Sequence, residues 1–229
     1  MAKIVYGPIA GAVSGALGNT VFSHNRHGAY VRVRTIPTKV VNSYTVGVRD
    51  VLASASRGWG GLEPEEQSAW NTWAEANPIT DRLGQKRALF GNAAYVMLNA
   101  RLMQAGDTPI TLPPTIAAPE PLTSLSLAAG EGAGTVILTT APTPLGANYQ
   151  LMVWLAVLVN PGQNYFKNLL KLMTITAKNV PTGEDIATFV EARFGAITEG
   201  HRYVLKAVVL DSTTGLISGP KLALATVAA

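Results

Sequence analysis

Nine consecutive apolar residues, LMVWLAVLV at positions 151–159, constrain this 229-residue chain more than any other stretch. As a helix the run is too short to cross a bilayer, which takes about 20 residues. As a strand it places apolar side chains alternately on both faces, so both faces of its sheet must be covered. Flanking it, positions 122–128, 134–140, 148–159, 169–177, 186–193, 203–211 and 221–227 read as short strands divided by Gly, Pro and Asn turns. Seven such strands predict a β-sandwich over 122–229, with Trp154 and Tyr203 in its core.

Upstream the pattern changes. Positions 107–121 hold five prolines in fifteen residues and predict an extended, stiff linker. Positions 41–106 read as a small unit of about three helices. In the first, Val48, Val51, Leu52 and Ala55 recur at helical spacing, up to the stop at Gly58-Trp59-Gly60-Gly61. The second opens on Pro64 and closes at Asn77-Pro78. The third runs over about 88–104, with Phe90, Ala94, Met97, Leu98 and Leu102 inward and Gly106 as C-cap. Trp59, Trp70 and Trp73, with Phe90, are the expected core of this unit.

Positions 1–40 form an arm in which Gly7, Gly11, Gly15 and Gly18 disfavour helix at about 1 kcal/mol each. Extended backbone is expected, with strands at 21–23 and 29–35 around a turn at 24–28, and with Pro37 ending the second. Alternation then sets Tyr30, Arg32 and Arg34 on one face and Ala29, Val31 and Val33 on the other. The fold class is thus α+β and multidomain: extended arm, helical unit, linker, sandwich.

Charge supports this division. The net charge of +4 is concentrated at the N-terminus, where positions 1–49 carry Lys3, Arg26, Arg32, Arg34, Lys39 and Arg49 and no acid. Charged residues are 14% of the chain, against about 25% in an average soluble domain, so much of the surface is expected to face other protein. The absence of cysteine excludes disulfides, thiolate metal sites and cysteine nucleophiles.

Motifs for chemistry are missing. His24 and His27 have no third local ligand, and His201 is distant in sequence. The glycines lack the phosphate-loop lysine and the dinucleotide fingerprint, and Ser14, Gly18, Asn19 and Thr20 interrupt any membrane helix built on the Gly7, Gly11, Gly15 spacing. Pro8 and the glycines make 4–13 a poor secretory leader. Glu63, Glu65 and Glu66 suit the first turn of a helix, where its dipole favours acids. No enzyme, cofactor or metal is expected. Gly11, Gly15, Gly18, Phe22, Tyr30, Arg32 and Arg34 are instead the candidate protein interface. Nucleic acid is the alternative partner, because an acid-free basic arm bearing Tyr30 is what such a contact uses.

Two resemblances point the same way. The segment 197–218, with Tyr203 followed by Val204, Ala207 and Val209, resembles the penultimate strand and following hairpin of fibronectin type III domains. The resemblance implies an Ig-like sandwich and a corner tyrosine whose hydroxyl bonds back to the preceding loop. The chain departs from that family in carrying Trp154 on the third strand, none on the second, and what looks like an inserted loop at 163–171. The string Gly11-x-x-Ser-Gly-x-x-Gly-Asn-x-Val-Phe-Ser23, then Gly28-x-Tyr-Val-Arg-x-Arg34-x-x-Pro37, with Arg49, Trp59 and Trp70, resembles a group of tailed-phage and prophage virion proteins. Positions 39–45 replace a usually more polar connection in that group. This resemblance implies a virion protein assembled in the host cytoplasm, with capsid or tail subunits or its own copies as partners. The expected role is head-associated decoration, with tail or baseplate as the alternative. A host-surface or glycan adhesin using Trp154 and Tyr149 is a third reading.

Overall fold

The computed structural model describes residues 2–3, 13–25, 28–36, 43–80, 84–130, 134–142, 145–160, 162–178 and 183–228. Of the residues singled out above, Gly7, Pro8, Gly11, Arg26, His27, Pro37 and Lys39 lie outside them. The chain divides into two compact units, Met1–Val46 and Gly47–Ala229.

The first unit is a four-stranded antiparallel sheet of β1 (Ala2–Lys3), β2 (Gly15–Leu17), β3 (Thr20–Asn25) and β4 (Gly28–Val33), in the order β1-β4-β3-β2. The glycine-rich stretch therefore contributes a strand of its own. Leu17 pairs with Thr20, so Gly18-Asn19 is a two-residue hairpin turn, and Gly18 has the positive φ of 57° that such turns require. A Cβ at Gly15 or Gly18 would meet nothing within 4 Å. Within this chain these glycines meet a conformational need, not a close approach.

The second unit begins inside α1 (Ser43–Trp59) and continues through α2 (Pro64–Ala76), a two-stranded ribbon of β5 (Ile79–Thr80) and β6 (Lys86–Arg87), and α3 (Gly91–Ala105). At the start of α2, the Glu63 N–H donates to Glu66 Oε2 at 3.0 Å, satisfying a backbone group the helix cannot. Around Trp70, which is fully buried, the rings of Trp73 and Tyr95 pack edge to face at 5.8 and 5.4 Å, and Trp59 meets Tyr95 at 5.7 Å. Tyr95, not Phe90, completes this aromatic cluster. Phe90 occupies the N-cap of α3 with extended backbone and is 59% exposed, while Leu89 beside it packs on the core.

Seven further strands follow: β7 (Ser124–Gly130), β8 (Thr135–Ala141), β9 (Tyr149–Leu158), β10 (Lys171–Ile175), β11 (Glu184–Asp185), β12 (Arg202–Asp211) and β13 (Lys221–Thr226). They form a sandwich of a four-stranded sheet, β10-β9-β12-β13, on a three-stranded one, β11-β8-β7. Between the sheets lie Leu125 and Leu127 of β7, Val136 and Leu138 of β8, Leu151, Val153 and Leu155 of β9, and Tyr203, Leu205, Ala207 and Val209 of β12.

The strand expected at 186–193 is instead a helix, α4 (Ala187–Phe194). Its apolar residues allow both periods, but Ile186 and Val190 stand one turn apart and are wholly buried. Asp185 decides the local start: its Oδ1 accepts the N–H of Ala187 at 2.9 Å while also holding Val136 N–H at 3.0 Å.

The run at 151–159 has both faces covered, and the two covers differ. Leu151, Val153 and Leu155 face the sandwich interior. Met152, Ala156 and Leu158 face outward, opposite Val208 and Val204 of β12, and are nevertheless at most 4% exposed. Ala105 and Ile217 pack against one end of this outer face, and Phe166 and Leu170, from the inserted segment, against the other. Trp154 belongs to this outer face and is only half-buried, with Lys206 Nζ 4.7 Å from its ring. It is therefore not a residue of the sandwich interior, because one position of alternation sets it on the opposite side from Val153 and Leu155.

Helices and sandwich consequently form one body from Gly47 onward, and the proline-rich stretch is laid along it. Trp70 Nε1 donates to the Thr111 carbonyl at 2.7 Å. Asn99, fully buried, donates to the Ile110 carbonyl at 3.1 Å and accepts its N–H at 2.7 Å. Pro114, Pro119 and Leu122 are buried, and Lys178 pairs with Asp107 at 2.7 Å.

Candidate protein-interaction site

In the first unit the register assigns each side chain to a face, because residues directly opposite in antiparallel strands point the same way. Phe22 pairs with Val31 and Gly15, Thr20 with Val33 and Leu17, and His24 with Ala29. One face therefore carries Leu17, Phe22, Ala29, Val31 and Val33, broken only by Thr20 and His24. Tyr30 pairs with Ser23, and Arg32 with Val21, so Tyr30 and Arg32 share the other face.

The apolar face is open at the end that holds Leu17 and Val33, while Ala29 at its other end is buried. Leu17 is 76% exposed and Val33 71%, and Phe22 and Val31 are half-buried. Burying Leu17 and Val33 against a partner would contribute about 3 kcal/mol. No strand among the described residues pairs with the outer side of the three-residue β2, and β1 pairs with β4 only at Tyr30 and Val31. Among the described residues, the rest of that edge of β4 has no strand beside it, so main-chain donors and acceptors are available to an added strand. Arg34 follows the end of β4, exposed, with its N–H donating to the Asn19 carbonyl at 2.7 Å.

Of the expected interface, the sheet brings together Gly15, Phe22, Tyr30 and Arg32, and Gly18 forms the turn. Arg34 lies just beyond the last strand. Leu17 is an addition to the expected residues, because within a glycine-rich stretch nothing in the sequence marks it as a strand position.

A second open apolar surface runs along α1. In the second unit, Val48 and Leu52 stand four apart on α1 and are each 44% exposed. The helical periodicity expected of Val48, Val51, Leu52 and Ala55 is real, and of these four only Ala55 is buried.

Among the described residues no group of three or more His, Cys, Asp or Glu side chains could hold a metal ion. No described helix is long and apolar enough to cross a membrane. Glu63, Glu65 and Glu66 lie in or beside the first turn of α2.

The sequence matches no protein-family model, and no curated protein sequence matches it. Solved structures similar to about half of the chain are fibronectin type III-like proteins. The structure of FN3tt mut is 16% identical, covers 48% of this chain and 97% of its own, and superposes with a TM-score of 0.31. A Fn3-like protein from Clostridium thermocellum is 17% identical, with 49% and 97% covered and a TM-score of 0.29.

Proposed function

We propose that this chain is a non-enzymatic structural protein of a tailed-phage virion, a head-associated decoration protein whose N-terminal sheet docks on neighbouring subunits. The observation that carries the reading is the apolar face on which Leu17 and Val33 are exposed beside half-buried Phe22 and Val31, on a sheet whose outer strands are paired on one side only among the described residues. A small sheet of this kind is marginal in water until its apolar face is covered. The occupant is protein, since aliphatic and aromatic side chains on one face, beside strand edges that no described strand pairs, offer strand addition and apolar burial together. The virion setting rests on the resemblance of positions 11–37 to phage virion proteins. The Ig-like module of the second unit is then the displayed part, and a tail or baseplate position is the alternative within the same reading.

The test is removal of residues 1–36, followed by electron microscopy of assembled particles and quantification of bound chain. Loss of the protein from particles, with the remainder still folded, is expected. Full occupancy by the truncated chain would overturn the proposal.

One observation favours a second reading. Tyr30 and Arg32 share the face opposite the apolar one, an arrangement open to a nucleic-acid backbone. That reading requires affinity for nucleic acid that falls steeply with salt through counterion release, and Arg32→Ala should lower the slope by about one.

A further inference from the structure

Because β11 is only two residues long, the three-stranded sheet stops early and α4 closes that side of the sandwich. Ile186, Ala187 and Val190 seal the interior there. Where the C-terminal end of α4 meets β9 and the start of β10, a cavity of about 240 Å³ remains. Its walls are largely apolar, including Val157, Leu169 and Phe194, and three polar side chains converge on it: Lys171, His201 and Tyr203.

Lys171 is exposed at the rim, its Nζ 4.7 Å from the centroid of the Phe194 ring. Tyr203 is 1% exposed. The corner-tyrosine bond expected of it is not made: its hydroxyl has no hydrogen-bond partner among the described residues, the preceding loop included. Tyr203 lines the cavity, and its hydroxyl is a group able to donate to a ligand there. Burial, and after it the Glu191 carboxylate, raises the phenol above its ordinary pKa, so at neutral pH it is an O–H donor.

We propose that this cavity binds a small monocarboxylate with an apolar body, the body against Val157, Leu169 and Phe194 and the carboxylate between the Lys171 ammonium and the Tyr203 hydroxyl. An apolar hollow with a few converging donors is the usual form of a small-molecule site. Its volume lies below the common range of about 300–1,000 Å³, which limits the ligand to on the order of ten non-hydrogen atoms. The field of Glu191 at Tyr203 opposes negative charge in proportion to its amount, so a single carboxylate facing the Lys171 ammonium is opposed less than a multiply charged anion such as phosphate.

The experiment is a titration of the isotope-labelled full chain with 3-phenylpropionate, followed by amide chemical shifts. Saturable shifts at Lys171, Phe194, His201 and Tyr203 are expected, with a Kd of about 1 mM for a ligand of this size. The neutral 3-phenylpropanamide should bind about tenfold more weakly, and inorganic phosphate should leave these amides unmoved. Lys171→Met keeps the side-chain stem and should weaken the carboxylate at least about fivefold without altering amide binding or Tm. Tyr203→Phe, which keeps the ring, should also weaken the carboxylate selectively. Equal binding of acid and amide, loss of both in Lys171→Met, or no saturable shifts at these residues would each overturn the proposal.

Discussion

Replacing Gly215 with alanine tests whether the helices and the sandwich are one folding body. Gly215 ends the turn after β12, with φ of 73°, and a Cβ placed there would lie 2.6 Å from the Leu98 carbonyl oxygen of α3. Two costs follow. A left-handed backbone costs a residue bearing a Cβ about 1–2 kcal/mol. Relieving a backbone clash in a packed junction costs about 1–3 kcal/mol more, and the displacement also strains the bond from Arg101 Nη1 to the Gly215 carbonyl, now 3.2 Å. The sum is about 3 kcal/mol, which for a unit of this size lowers Tm by about 6–12 °C. Gly106→Ala is the control, because Gly106 has φ of 81° but a Cβ there would meet nothing within 4 Å, so the change should cost only about 1 kcal/mol. Thermal unfolding would be followed by tryptophan fluorescence, dominated by Trp59, Trp70 and Trp73 of the helices, and by far-ultraviolet circular dichroism. Both signals should shift together in Gly215→Ala. Equal Tm losses in the two variants, or a tryptophan transition that separates from the dichroism, would refute the shared junction.

Asn99→Ala removes a fully buried side chain and leaves both main-chain groups of half-buried Ile110 without that partner, and should cost about 2–3 kcal/mol in urea denaturation; Asn99→Asp, which loses the donor and adds a buried charge, should cost more. Trp70→Phe removes the bond to Thr111 and part of a buried ring, and a loss of about 2–3 kcal/mol in the same assay is expected. Burial raises the pKa of Glu184, whose Oε2 has no hydrogen-bond partner among the described residues. An acid with a folded pKa above its unfolded one binds more protons when folded, so stability falls as pH rises through that interval. Glu184→Gln should therefore be more stable than wild type at neutral pH, with the difference vanishing below about pH 4; a constant difference across pH would refute the assignment.

The β-strands are readable where the local pattern and the tertiary environment agree. Positions 151–159 can only be a doubly covered strand, and β7, β8, β12 and β13 follow from alternation and turns. The sequence is ambiguous at 186–193, where Ala187, Phe189, Val190 and Ala192 fit either period and Asp185 settles it through a side-chain bond that spacing does not reveal. Phe90 and Trp154 depart from expectation for a related reason: large apolar residues are read as interior, yet a cap position turns one outward and a shift of one position sets the other on the opposite face. The prolines at 107–121 look like a spacer because composition reports stiffness and not contact. What holds them is Asn99 and Trp70, at separations of 11 and 41 residues. In the arm, alternation identifies the faces of β4, but the exposure of Leu17 depends on a register that only pairing shows.

The outer face of β9 and β12 explains why a fold boundary drawn at the prolines would fail. In an antiparallel sandwich the outward face is commonly solvated and polar, but here it holds Met152, Ala156, Leu158, Val204, Val208 and Leu210, all at most 4% exposed. Part of that burial depends on α3 through Ala105, so a fragment limited to 122–229 would lose that cover from the cluster of Met152, Val208 and Leu210, while Trp154, Leu172, Ile175 and Ile217 stay on it. Uncovering part of one cluster of large side chains costs about 1–2 kcal/mol, a sizeable share of the stability of a domain this small. The fragment 122–229 should therefore bind a hydrophobic dye and self-associate, while 43–229 should remain monomeric and melt in one transition. A monomeric, cooperatively folded 122–229 would show that the helices merely sit on a finished sandwich. The same criterion separates the first unit from the second: apolar residues on β9 and β12 are covered by the chain itself, whereas Leu17 and Val33 are exposed, and that contrast is the ground on which docking through the N-terminal sheet is proposed.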